Sequence, residues 1–118
     1  MVFFRNDEDG EGTEQPAESG GERVVPLQPD ALLVNCLPPS RVPACLAPLR
    51  ETGRPFGAYA NLGAPDTSAT GRTEYQTPAQ LAAHARAWRR AGATLLGGCC
   101  GTTPAHVRSL ATALRSFA

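Results

Sequence analysis

The chain has no lysine; all eleven of its basic residues are arginine. They are scattered along the sequence, which reads as a coding bias rather than a device for holding phosphate. Eleven acidic residues balance them to a formal net charge of zero. The whole-chain attraction that a nucleic-acid partner exploits is therefore missing. No apolar run approaches the roughly 18 residues needed to span a bilayer, so no membrane partner is expected. The opening Met1-Val2-Phe3-Phe4-Arg5 is too short, and too soon followed by acids, to be a signal peptide. The expected compartment is the cytoplasm, where thiols stay reduced. There is no Cys-x-x-Cys spacing, so the usual structural zinc pattern is absent as well.

The charge that is present lies unevenly. Asp7, Glu8, Asp9, Glu11, Glu14, Glu18 and Glu22 crowd the first 22 residues with one base, Arg5. Residues 5–23 are rich in Gly, Glu and Ser and offer almost nothing to bury, which predicts a disordered acidic segment or a long surface loop. Ahead of it, Val2-Phe3-Phe4 is apolar enough for a short strand. The sequence thus divides into residues 1–30, a strand remnant with a flexible acidic loop, and residues 31–118, a folded unit.

From residue 31 a repeating order sets in. An apolar run at 31–36 leads through Pro38-Pro39 to a helical segment near 40–52, with Val42, Leu46 and Leu49 on one face and Thr52-Gly53 at its end. A second run at 56–60 leads to a polar loop over 61–76, in which Arg72 and Glu74 either cover a site mouth or are simply solvated. Thr77-Pro78 opens a helix to about Ala91. A third run at 93–97 leads to the last helix, 104–117, with Val107, Leu110, Ala111 and Leu114 as its apolar stripe. Alternation of this kind predicts an α/β fold of parallel strands joined by helical crossovers. The strands lack a clean period of two, as expected where both faces are covered.

Gly97-Gly98-Cys99-Cys100-Gly101-Thr102-Thr103-Pro104 places two adjacent thiols where a strand ends and a helix begins, and Cys36 closes the earlier strand-like run. Three cysteines at the ends of two strands can form a trithiolate site for Zn²⁺ with one position left open. The glycines allow the backbone bend that adjacent ligands require. Spacing alone leaves three readings open: a metal site, buried structural thiols, or a redox pair. Cys45 falls on the buried face of the first helix and reads as a small core residue. Asn35 and Asn61, beside the strand ends, either bond a substrate or cap loops. Tyr59 either lines a pocket or packs within the sheet. Trp88 reads as packing on the sheet, His84 as a helix-face residue without a catalytic task, and His106 as solvated or capping.

Asn35-Cys36 followed by Pro38-Pro39, the segment Tyr59-Ala60-Asn61-Leu62-Gly63 (with Ala60 where proline is usual), and Gly97 to Val107 together resemble three motifs of the homocysteine S-methyltransferases, in the same order and spacing. That resemblance implies the C-terminal part, about three to four β/α units, of a (β/α)₈ TIM barrel, with residues 31–118 as its last three units and Val2-Phe3-Phe4 as a remnant of the fifth strand. It implies that Cys36, Cys99 and Cys100 bind Zn²⁺, that homocysteine joins as thiolate, and that a methyl donor alkylates it to give methionine. Asn35 and Asn61 become candidate substrate-binding residues. The first four or so strands, which supply much of the donor pocket, are missing, and the abrupt start points to a truncated or mis-started gene. The edges so exposed favour self-association or a second chain that completes the barrel. The alternatives are an inactive zinc-binding remnant and a thiol redox module built on Cys99-Cys100.

Overall fold

The computed structural model describes residues 2–5, 25–63 and 75–116. Four strands form one sheet: β1 (Val2–Arg5), β2 (Leu32–Leu37), β3 (Phe56–Ala60) and β4 (Leu95–Gly98). Every neighbouring pair is parallel and the spatial order is the chain order. A monotonic parallel order is that of a barrel arc; a doubly wound sheet would reverse it at a switch point. The expected strand at Val2-Phe3-Phe4 is present and pairs with β2 from Val2↔Leu32 to Arg5↔Asn35. Residues 2–5 therefore share the sheet with the rest of the fold. The acidic stretch over 6–24 and the loop positions Arg72 and Glu74 lie outside the described residues.

Three α-helices follow the strands: α1 (Val42–Glu51), α2 (Pro78–Arg90) and α3 (Pro104–Arg115). A 3-10 turn over Pro39–Arg41 leads into α1, with Pro39 at its first position, where no N–H is required. Thr77 caps α2 through a reciprocal pair of bonds with Gln80, the arrangement that Thr-Pro-x-Gln favours. Gly53 ends α1 and Gly92 ends α2, both at positive φ.

The core lies on one face of the sheet. Leu32, Val34 and Leu37 of β2 and Phe56, Ala58 and Ala60 of β3 pack against Val42, Leu46 and Leu49 of α1, Leu81, Ala85 and Trp88 of α2, and Leu110 of α3. Each fully buried leucine contributes about 1.5–3 kcal/mol. All three helices thus cover the same face. The alternate residues Asn35, Gly57, Tyr59 and Gly97 belong to the other one, which would be the interior face in a barrel. No helix among the described residues is long and apolar enough to cross a membrane.

The stripe of α3 is set one residue earlier than the apolar pattern predicts. His106, Leu110 and Ala113 are buried, whereas Val107 is 53% exposed. Two polar anchors on His106 turn that face inward. Hydrogen bonds thereby outrank the apolar preference of Val107.

Gly57 sits where β3 and β4 approach most closely. A Cβ there would overlap the Leu95 carbonyl, so Gly57→Ala is expected to cost about 1–3 kcal/mol in urea unfolding, with the β3–β4 contact loosened. Burial pushes the half-buried Cys45 thiol above its ordinary pKa, opposed in part by the Arg41 guanidinium. The unfolded chain then ionises this thiol first. Its contribution is complete below the ordinary thiol range and is lost as pH rises above about 9. A melting temperature that falls from about pH 8 to about pH 10, and falls less in Cys45→Ser, is the expected result.

Candidate metal and substrate site

Cys36 ends β2 in an unusual way. Asn35 pairs with Tyr59 and Leu37 with Ala60, so Cys36 is an extra residue, a bulge at the strand's carboxyl end. Its φ is 59°, in the left-handed region that a non-glycine residue seldom occupies. Such a conformation costs on the order of 1–3 kcal/mol and is characteristic of functional sites. Its consequence here is reach. The Cys36 Sγ lies 2.9 Å from the Cys99 Sγ, although β3 separates their two strands.

The Cys99–Cys100 turn is held by backbone bonds from β3 and its loop. The Cys99 N–H donates to the Ala60 carbonyl at 3.1 Å, and the Cys100 carbonyl accepts from Leu62 N–H at 2.9 Å and Gly63 N–H at 3.1 Å. Thr102 N–H closes the turn on the Cys99 carbonyl. Asn61 N–H donates to the Leu37 carbonyl, joining the end of β2 to the same assembly. The Asn61 side chain accepts from Gly63 N–H at 3.1 Å, which shapes the loop that grips Cys100. Asn61 thus caps its loop through Oδ1. Asn35 is half-buried and in register with Tyr59, whose ring packs over Gly97; a Cβ at Gly97 would meet that ring.

Of the three expected ligands, the structure brings Cys36 and Cys99 together and leaves the Cys100 side chain exposed beside them. Among the described residues no three His, Cys, Asp or Glu side chains are gathered as a ready metal cage. The donor set still suits a soft divalent ion: two converging thiols with a third on the adjacent residue. Burial and the Cys36 thiol push the Cys99 pKa up, opposed by hydrogen bonds from Cys100. Thr102 Oγ1 is buried in the same turn without a hydrogen-bond partner among the described residues.

Two features escape sequence reading. The bulge at Cys36 has no compositional mark. Of the solvated and capping roles that the sequence offered for His106, it takes the capping one, but it is 1% exposed and its Nε2 also bonds the Gln76 carbonyl, which the sequence did not mark. Its available mark is the position three residues after an N-cap threonine, where Glu or Gln would complete a capping box.

Gly101 has φ 80°, and a Cβ there would overlap the Gly63 carbonyl. Gly101→Ala is therefore expected to displace the turn and raise the alkylation rate of Cys99 and Cys100. The fold, read by far-UV circular dichroism, should persist.

Comparison with known proteins identifies the family. The family model described as homocysteine S-methyltransferase matches residues 2–114. The chain is 35% identical over 91 residues to homocysteine S-methyltransferase 4 of Zea mays, covering 73% of this chain and 27% of that protein. It is 39% identical over 83 residues to the homocysteine S-methyltransferase of Escherichia coli, covering 68% and 27%. It is 38% identical over 97 residues to the methionine synthase of Mycobacterium tuberculosis, covering 80% and 8%. The chain spans about a quarter of the length of the homocysteine S-methyltransferases it matches. With the match running from β1 to the end of α3, through every cysteine of the converging strand ends, the chain belongs to the homocysteine S-methyltransferase family.

Proposed function

We propose that this chain supplies the zinc- and homocysteine-binding part of a methyltransferase that converts homocysteine to methionine. The observation that carries this reading is the approach of Cys36 and Cys99 to 2.9 Å at the carboxyl ends of parallel strands, the end at which barrel enzymes place their chemistry. Cys36, Cys99 and Cys100 would hold the ion. Bound there, zinc supplies a Lewis acid that keeps a sulfur ligand ionised and therefore nucleophilic.

The chain's own residues do the rest. The bulge presents Cys36 to Cys99, and the bonds on Ala60, Leu62 and Gly63 fix the turn from which Cys99 and Cys100 project. Asn35 and Tyr59, side by side on the interior face, form the near wall against which homocysteine would lie. In the reaction the homocysteine sulfur forms a bond to the donor's methyl carbon. The donor's bond to that carbon breaks, and its leaving group departs with the electron pair. The four strands then represent the last four of a (β/α)₈ barrel, acting in the cytoplasm and completed by further strands outside these residues. Alone, they leave the donor without a complete pocket. Loss of proximity and orientation makes turnover by the isolated chain negligible, so by itself it behaves as a zinc-binding remnant.

Native mass spectrometry of the 118-residue chain is expected to show about one zinc per chain, lost in Cys99→Ser. No methionine above background should form from homocysteine with S-methylmethionine or betaine as donor. Absence of zinc would overturn the metal reading, and robust methionine formation would overturn the dependence on further strands.

A further inference from the structure

His106 is the sole buried polar or charged residue among the described residues, and neither of its nitrogens is free. Its Nε2 lies 2.7 Å from the Gln76 carbonyl, an acceptor only, so Nε2 carries the proton. Its Nδ1 is then the acceptor, taking the Thr103 N–H at 3.2 Å and the Thr103 hydroxyl at 2.8 Å. The Tyr75 ring closes over it edge-on, with centroids 6.1 Å apart. The imidazole thus does two separate jobs. Through Nδ1 it fills the N3 half of the α3 capping box. Through Nε2 it ties the start of α3 to the residue before Thr77, the N-cap of α2.

Leu62 and Gly63 hold the Cys100 carbonyl at one end of the thiol turn, and at the other Gln76 holds His106, whose Nδ1 takes the N–H of Thr103. Thr103 follows that turn directly. The turn is therefore pinned on one side by β3 and on the other by His106. A glutamine at position 106 could still serve the N-cap, as Gln80 serves Thr77, but no cap requires the second bond.

We propose that His106 is a positioning residue for the metal ligands: its bond to the Gln76 carbonyl holds the Cys99–Cys100 turn in its ligating arrangement, separately from its part in capping α3. The proposal rests on the metal reading above for its functional meaning, but not for its test. The 118-residue chain is compared with His106→Gln and His106→Ala. Melting temperature reads the cap. The iodoacetamide reaction rate of Cys99 and Cys100 in the metal-free chain, resolved by peptide mass mapping, reads the turn. Cobalt(II) titration, followed by its thiolate charge-transfer absorption, reads the ligand set.

His106→Gln is expected to restore most of the melting temperature lost in His106→Ala. It should still alkylate faster than wild type at Cys99 and Cys100, and bind cobalt about 10–100-fold more weakly, the usual cost of losing an outer partner that orients ligands. If His106→Gln restores the alkylation rate along with the melting temperature, His106 is only a cap and the proposal is overturned. Unchanged alkylation in both variants overturns it equally. If wild type fails to bind cobalt while the alkylation difference stands, the positioning role holds and the metal reading falls.

Discussion

Everything at the site depends on how three strand ends are laced together by backbone hydrogen bonds. The Leu37 carbonyl takes the Asn61 N–H, the Ala60 carbonyl takes the Cys99 N–H, and the Cys100 carbonyl takes the N–H groups of Leu62 and Gly63. These bonds continue the parallel ladder past the point where the strands formally end. They position the thiols without using any side chain that the thiols would need. Partly buried backbone groups must be paired somewhere, and here the pairing itself creates the convergence of β2, β3 and β4.

Strain is concentrated where convergence demands it. Cys36 takes a left-handed conformation because an in-register residue at the end of β2 would point away from its partner across β3. The bulge costs stability locally, and the buried leucines of β2 and α1 offset it. Two glycines allow the rest. Gly101 lets the thiol turn lie against the Gly63 carbonyl, and Gly57 lets β4 lie against β3. A side chain at either position would separate groups that must touch.

The placement of the helices gives the sheet two unlike faces. One is sealed by α1, α2 and α3 around Trp88 and the leucines. The other carries Asn35, Tyr59 and glycines in a row across β2, β3 and β4, with Leu95 partly exposed. Toward the carboxyl ends of the strands this face is small and polar, at Asn35, Tyr59 and Gly97, whereas Leu33, farther back, is fully buried. The thiols stand at the carboxyl ends of the strands, beside Asn35 and Tyr59.

By itself, the sequence determined the elements and their ends. Thr77-Pro78 and Thr103-Pro104 marked helix starts, Gly53 and Gly92 marked helix stops, and Val42, Leu46 and Leu49 marked a buried face, because capping, φ freedom and apolar periodicity act over a few residues. It also named the thiols, since the order and spacing of Cys36, Cys99 and Cys100 are properties of the chain. The tertiary structure alone decided how those thiols meet. The bulge at Cys36 arises from a register shift against β3, and no local propensity encodes it. The burial of His106 in place of Val107 was likewise decided by a carbonyl thirty residues away, at Gln76. Bonds of that span exist only once the strands have been brought side by side.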